Sequence, residues 1–205
     1  VVKARDDDVH QTSARIGRAP STTRAELSHI ALELFIERGF EHTTVDDIAA
    51  AAGISRRTLF RYFTSKNELP WGDFDAELER MRQFLSALPT ELPLGQALSA
   101  AVIAFNRFPV EEVPHHRKRM ELLLTVPALV AHSTLRYVAW RQVVADYAAG
   151  RLGVAADALE PQAIAWMYLG VSLASYEEWL KHEDADLTEL LESASRMLDN
   201  AFVLR

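Results

Sequence analysis

Along most of the chain the apolar residues recur every three or four positions, and almost nowhere every second one. Leu27, Ile30, Ala31, Leu34 and Phe35 share one face of a helix that Thr22 or Thr23 caps and that runs to Arg38, with Gly39 closing it. Val45, Ile48, Ala49 and Ala52 repeat the pattern, with Thr44 and Asp47 at the spacing of a capping box and Gly53 as the stop. Ser55 caps a second short helix. Its first residues, Arg56, Arg57 and Thr58, project outward, while Leu59, Phe60 and Phe63 hold it against its predecessor. Beyond it the pattern predicts a long helix over residues 65–88. Further helices follow over 93–108, 114–126, from Pro127 to about 150–153, over 161–181, and from Asp186 or Thr188 onward.

No strand pattern and no internal repeat interrupts this series, so the expected fold class is all-α. Two short helices joined by a glycine turn, the second with a basic start, form a helix-turn-helix, whose second helix lays its N-terminal side chains on base edges in the major groove. The plainer alternative is a solvated basic turn between two core helices, which Arg56 and Arg57 alone do not rule out. On the DNA reading, Arg56, Arg57 and Thr58 read bases. Thr43, Thr44, Ser55, Tyr62 and Lys66 set the register on the phosphates, and Arg61 completes the basic set. The free amides at the start of the helix after Ser65 suit a phosphate.

The whole stretch resembles the TetR family of bacterial repressors, over roughly residues 22–70. It joins Thr43-Thr44, Ile48-Ala49, Ala52-Gly53-Ile54-Ser55, Thr58-Leu59-Phe60, Tyr62-Phe63, and Ser65-Lys66 ahead of Leu69. The resemblance implies an N-terminal three-helix helix-turn-helix DNA-binding domain plus a C-terminal helical ligand-binding and dimerisation bundle. The corresponding division is an N-terminal arm over 1–20, a DNA-binding domain over 21–66 and a body over 67–205. Arms of this family can place arginine in the minor groove, and Arg15 and Arg18 are the candidates here, although a loose tail is the simpler reading of the first dozen residues.

Charge sharpens this division. The net charge of −7 is unusual for a DNA binder. Yet residues 9–66 carry eight Lys and Arg against six Asp and Glu, whereas residues 67–205 carry twelve against twenty. A basic front and an acidic body meet phosphate with one end only, and binding of that kind weakens steeply with salt. The absence of cysteine excludes disulfides and thiolate metal sites and suits a reducing cytoplasm. No apolar run reaches the ~20 residues of a membrane span, and residues 1–18 lack the apolar core of a signal peptide, so a cytoplasmic protein is expected.

In the body, residues 163–176 have almost no polar face, and a helix apolar all round needs burial on every side. The last helix adds Leu187, Leu190, Leu191, Ala194, Leu198 and Ala201 at helical spacing. Either these helices close the monomer's own core or, as expected, the last two pair with a second copy in a four-helix dimer interface. Aromatic and bulky residues crowd the middle helices, and an apolar cavity between bundle helices is the default ligand site. Phe74, Phe105, Phe108, Met120, Tyr137, Trp140 and Trp166 are its candidate lining, with packed core as the alternative for each. The run His116, Arg117, Lys118 and Arg119, with Arg107 and Arg136 nearby, supplies candidates for an anionic head group, Arg117 and Arg136 foremost, or else a solvated face.

Residues 69–75, 105–109 and 131–141 resemble a narrower group within the family, the regulators encoded beside mycofactocin biosynthesis genes in actinobacteria. That resemblance implies a small apolar or acyl-coenzyme A-type effector. No metal site is expected at His115-His116, which lack convergent partners, and no cofactor or catalytic motif is legible. The expected function is a ligand-responsive homodimeric repressor of a near-palindromic double-stranded DNA operator. An enzyme or lipophilic-ligand carrier working through the body, or an activator, is the alternative.

Overall fold

The computed structural model describes residues 22–201, with side chains as far as residue 198, so the arm expected over 1–20 lies outside the described residues. The described chain is helical, with no strand among the described residues. Its helices are α1 (Arg24–Arg38), α2 (Val45–Ala51), α3 (Arg56–Leu59), α4 (Phe74–Ala87), α5 (Leu94–Phe105), α6 (Val113–Thr125), α7 (Pro127–Leu152), α8 (Leu159–Lys181) and α9 (Leu187–Ala201). Two 3₁₀ segments, Lys66–Trp71 and Val110–Glu112, join them.

The first three helices start where local chemistry dictates. Thr23 and Glu26 form a reciprocal capping box on α1, and Thr44 and Asp47 form one on α2. The Ser55 hydroxyl accepts the Thr58 amide at 3.1 Å and so opens α3. Gly53 holds the turn between α2 and α3 at φ +65°, a backbone region that residues with a Cβ rarely enter. Leu27, Ala31, Phe35, Ile48, Leu59 and Phe63 close this end around a small core. Phe60 departs from the expected packing. α3 is a single α-turn, and the Phe60 ring lies on its outer side, 41% exposed, with the Arg56 guanidinium 5.5 Å from its centroid.

No continuous helix runs over 65–88. Ser65 makes no side-chain cap, the chain follows a 3₁₀ path to Trp71, and α4 begins only at Phe74. Pro70 is the cause: it has no amide hydrogen, and its ring disfavours α geometry at the preceding residue. Gly72 then turns the chain at φ +59°, where a Cβ would also stand 3.4 Å from the Ser28 hydroxyl of α1. The 3₁₀ segment is thus wedged between α1 and α7.

α5 likewise ends at Phe105, three residues early, because the side-chain amide of Asn106 donates to the Val102 carbonyl at 2.7 Å. α7, α8 and α9 pack side by side as the back of the body. One apolar core runs from Leu27 in α1 through Leu98, Leu123, Leu129 and Val144 to Leu191 in α9. α8 is not buried on every side within one chain. Ala165, Tyr168, Leu169, Tyr176 and Trp179 face inward, while Ala163, Trp166, Gly170 and Ala174 remain exposed along the opposite stripe.

Candidate functional site

At the DNA-reading end, Thr44, Ser55, Arg56, Arg57 and Arg61 are exposed, and Thr58 and Tyr62 half-buried. Arg56 pairs with Asp46 of α2 at 3.1 Å, an exposed pair worth at most ~1 kcal/mol and easily exchanged for phosphate. Arg57 and Arg61 make no hydrogen bond or ion pair among the described residues and are free to reach outward. Two expected contact residues point the other way. Thr43 is 1% exposed, and its hydroxyl donates to the Leu34 and Gly39 carbonyls. Lys66 donates to the Phe40 and Thr43 carbonyls at 2.8 and 3.2 Å, its ammonium over the Phe40 ring. Both therefore brace the turn after α1 from within.

The second feature is a cavity of about 1060 Å³. Six of the expected residues line it: Phe74, Phe105, Phe108, Met120, Tyr137 and Trp140. Phe105 meets Phe74 and Trp140 edge-on at 6.1 and 6.4 Å between centroids, which sets an aromatic wall. The opposite wall was not anticipated. Ala25, Ser28, His29 and Ile30 of α1, Trp71 of the 3₁₀ segment and Gly72 just after it belong to the lining, so the helix that packs on α2 also bounds the cavity.

Three expected lining residues lie elsewhere. Trp166 is 58% exposed on the outer stripe of α8, with the Arg141 guanidinium 3.7 Å from its ring centroid. Arg117 stacks on Trp179 and donates to the Trp179 and Glu183 carbonyls, tying α6 to the end of α8. Arg136 of α7 pairs with Glu68 at 3.4 Å and with Asp75 at 3.6 Å, and Glu68 accepts the Thr64 amide at 2.7 Å. Burial works against the Glu68 carboxylate, but the Thr64 amide and Arg136 outweigh it and hold its pKa below the usual range. Arg136 is therefore a strut between the body and the DNA-reading end.

At one end of the cavity the lining turns polar. The Asn106 side-chain amide is spent on Val102, so its oxygen faces the Tyr176 hydroxyl, which donates to it at 2.7 Å. The tyrosine oxygen must then accept the 2.7 Å hydrogen bond from His116, which places the imidazole hydrogen on Nε2. Burial pushes the His116 pKa down to about 3, with Arg119 adding to the effect, so the ring is neutral near pH 7. Burial raises the Tyr176 pKa as well. Arg119, one helical turn along α6 from His116, completes this end. His115, by contrast, leaves the cavity and places its ring 4.6 Å from that of His29.

Sequence reasoning takes the basic run 116–119 as a candidate and picks Arg117 from it, whereas His116 and Arg119 are the two that line the cavity, and it misses Asn106 and Tyr176. The helical register of α6 held the signal. Glu112, His116, Arg119, Met120 and Leu123 follow three-to-four spacing and all line the cavity, whereas Arg117 falls off that stripe.

An arginine-tipped helix-turn-helix on a helical body with an internal cavity defines a class of transcription regulator. The chain belongs to the TetR family: residues 29–69 match "Bacterial regulatory proteins, tetR family", and residues 92–203 match "MftR C-terminal domain". It is 47% identical to the protein assigned as the mycofactocin biosynthesis transcriptional regulator MftR of Mycobacterium tuberculosis, over 88% of this chain and 91% of that one. The HTH-type transcriptional regulator TcmR of Streptomyces glaucescens is 34% identical over 87% and 82%. Thermus thermophilus FadR, a TetR-family repressor solved in complex with lauroyl-CoA, shares the fold at TM-score 0.58, with 22% identity over 89% of this chain and 96% of that one. The protein is thus a transcriptional regulator, and the narrower resemblance over residues 69–75, 105–109 and 131–141 agrees with its mycobacterial relative.

Proposed function

We propose that the protein is a homodimeric repressor that leaves its operator when a long-chain, acyl-coenzyme A-type effector enters the cavity, acting in the cytoplasm on chromosomal DNA. The observation that carries this reading is the shared wall: α1 packs against the helix-turn-helix on one side and bounds the cavity through Ser28, His29 and Ile30 on the other. Arg57, Arg61 and, after exchange of Asp46 for phosphate, Arg56 contact the duplex, with Thr44, Ser55, Thr58 and Tyr62 setting register. Residues 21–66 act as the DNA-binding unit and residues 67–205 as the body.

The exposed apolar stripe of α8 (Ala163, Trp166, Gly170, Ala174) and Met197 of α9, 71% exposed, support pairing of the last two helices with those of a second copy. A dimer must hold its two reading helices about 34–36 Å apart to meet successive major grooves. The relay runs through α1 and the 3₁₀ segment instead of one long helix over residues 65–88. With the chain broken at Pro70 and Gly72, an occupant presses on α1 directly and on Trp71, and Arg136 carries body movement to Glu68 and Thr64. Effector and DNA then lower each other's affinity by the same factor. The size and apolar wall of the cavity, and the lauroyl-CoA complex of the Thermus protein, support a long acyl chain.

Selection from a random duplex pool by the purified chain tests the reading. Two inverted half-sites one helical turn apart should emerge, and palmitoyl-coenzyme A should release them. A monomer with no sequence preference in dilute salt would overturn the proposal.

A further inference from the structure

Buried polar side-chain atoms nearly always have a hydrogen-bond partner, because leaving one unsatisfied costs about 1–3 kcal/mol. Four residues of the cavity lining break that rule: Ser28 Oγ, Trp71 Nε1, His116 Nδ1 and Arg119 Nε are buried and have no partner among the described residues. Arg119 is the most demanding of them. Arg136 and Arg151 of the body are tied to carboxylates or carbonyls, as Arg117 is. Arg119 makes no hydrogen bond, and no carboxylate comes within 4.0 Å of it among the described residues.

The acidic groups around it are engaged or distant. Glu77 is paired with Arg80, Glu26 caps Thr23, Asp73 stands 3.8 Å from Arg24, and Glu112 acts on Arg119 only through space. His116 is neutral, so the positive charge at this end of the cavity belongs to Arg119, with Glu112 the carboxylate that acts on it most. An apolar occupant would strip the remaining water from an uncompensated guanidinium, which costs several kcal/mol. An occupant carrying a negative oxygen group would instead complete it with a charge-assisted hydrogen bond in a sheltered site, where such bonds are strong.

Resting on the effector reading above, we propose that the occupant is an amphipathic anion. Its chain lies along the aromatic wall of Phe74, Phe105 and Trp140, and its anionic oxygen group is held by Arg119 beside the Asn106–Tyr176–His116 chain. The carboxylate of a free fatty acid and a phosphate of an acyl-coenzyme A offer the same chemistry, and the experiment separates them.

Binding of palmitate, hexadecanol, palmitoyl-coenzyme A and coenzyme A alone is measured by calorimetry on the full chain and on its Arg119→Gln and Arg119→Lys variants. Operator binding without ligand confirms that each variant is folded. A charge-assisted hydrogen bond is worth ~1.5–3 kcal/mol, so at least one anionic long-chain probe should bind roughly 10- to 100-fold more tightly than hexadecanol. That preference should vanish in Arg119→Gln, with hexadecanol bound at least as tightly as by the native chain because no guanidinium is left to desolvate, and return in part in Arg119→Lys. Preference for palmitate assigns the group as a carboxylate, and preference for palmitoyl-coenzyme A alone assigns it as a phosphate. Should long-chain probes bind with no preference for charge, or with a preference that survives Arg119→Gln, the anion anchor is overturned while the cavity remains an effector site. Should no probe bind the native chain at all, the effector reading falls with it.

Discussion

Between residues 39 and 66, each buried polar side-chain atom has a partner among the described residues. Thr43 bonds two carbonyls, Lys66 two more, and Thr44 and Asp47 each other. Around the cavity the situation is reversed, with Ser28, Trp71, His116 and Arg119 each carrying an unpartnered buried atom. The first region is complete as it stands. It offers Arg57 and Arg61 on a frame whose buried polar atoms are all partnered, which suits the reading head proposed for it. On the proposed reading, an effector supplies the partners that the second region lacks. The two meet along α1 and the 3₁₀ segment, the contact that the proposed relay uses.

Core truncation should break the contrast most severely. Phe35, 1% exposed and in contact with Phe40, belongs to the closed region, and Phe35→Ala should cost ~3–5 kcal/mol in denaturant unfolding. Phe105→Ala, beside space that is already empty, should cost clearly less. Equal losses would mean that the cavity is packed shut in solution.

Acid should act next, and through the body. His116 titrates near 6.5 when unfolded and near 3 when folded, so the fold favours its neutral form. Its contribution is fully present above pH 6.5 and is lost as pH falls toward 3. His116→Gln should therefore unfold with about one proton fewer taken up across that window. An unchanged acid slope would contradict the buried neutral ring.

At the reading end, Arg57→Ala should weaken operator binding by about 1–3 kcal/mol, measured by gel shift, with the oligomeric state intact. Unchanged affinity would remove Arg57 from the reading set. Arg136→Gln should leave operator binding alone close to native and reduce the factor by which effector weakens it, by ~0.5–2 kcal/mol of coupling. Loss of operator binding without any effector would make Arg136 a fold determinant instead of a strut. Smallest of all, Thr44→Ala removes a helix cap and should lower stability by about 1 kcal/mol.

The helix-turn-helix was legible because its determinants lie within a few residues of each other. Thr44 finds Asp47, Ser55 finds Thr58, and Gly53 supplies the turn between. Six of nine expected lining residues were legible because bulky side chains at helical spacing face a bundle interior. Trp166 failed because the same apolar pattern describes a face turned inward and a face left exposed. Arg117 and Arg136 failed for a related reason: a basic side chain can end on a carbonyl or a carboxylate that only folding brings near. The break at Pro70 and Gly72 could have been read, since proline opposes α geometry, but the apolar repeat on either side of it masked the stop.

The helical class, the starts of the first three helices, the stops of the first two and the basic tip of α3 followed from the sequence alone, because each depends on interactions three or four residues apart. Only the tertiary structure decided that α1 walls the cavity, that Arg119 and not Arg117 turns inward, and that Asn106, Tyr176 and His116 form one chain. Those contacts join residues sixty or seventy positions apart. Which partners meet over such separations is set by how the helices pack, which no local pattern encodes.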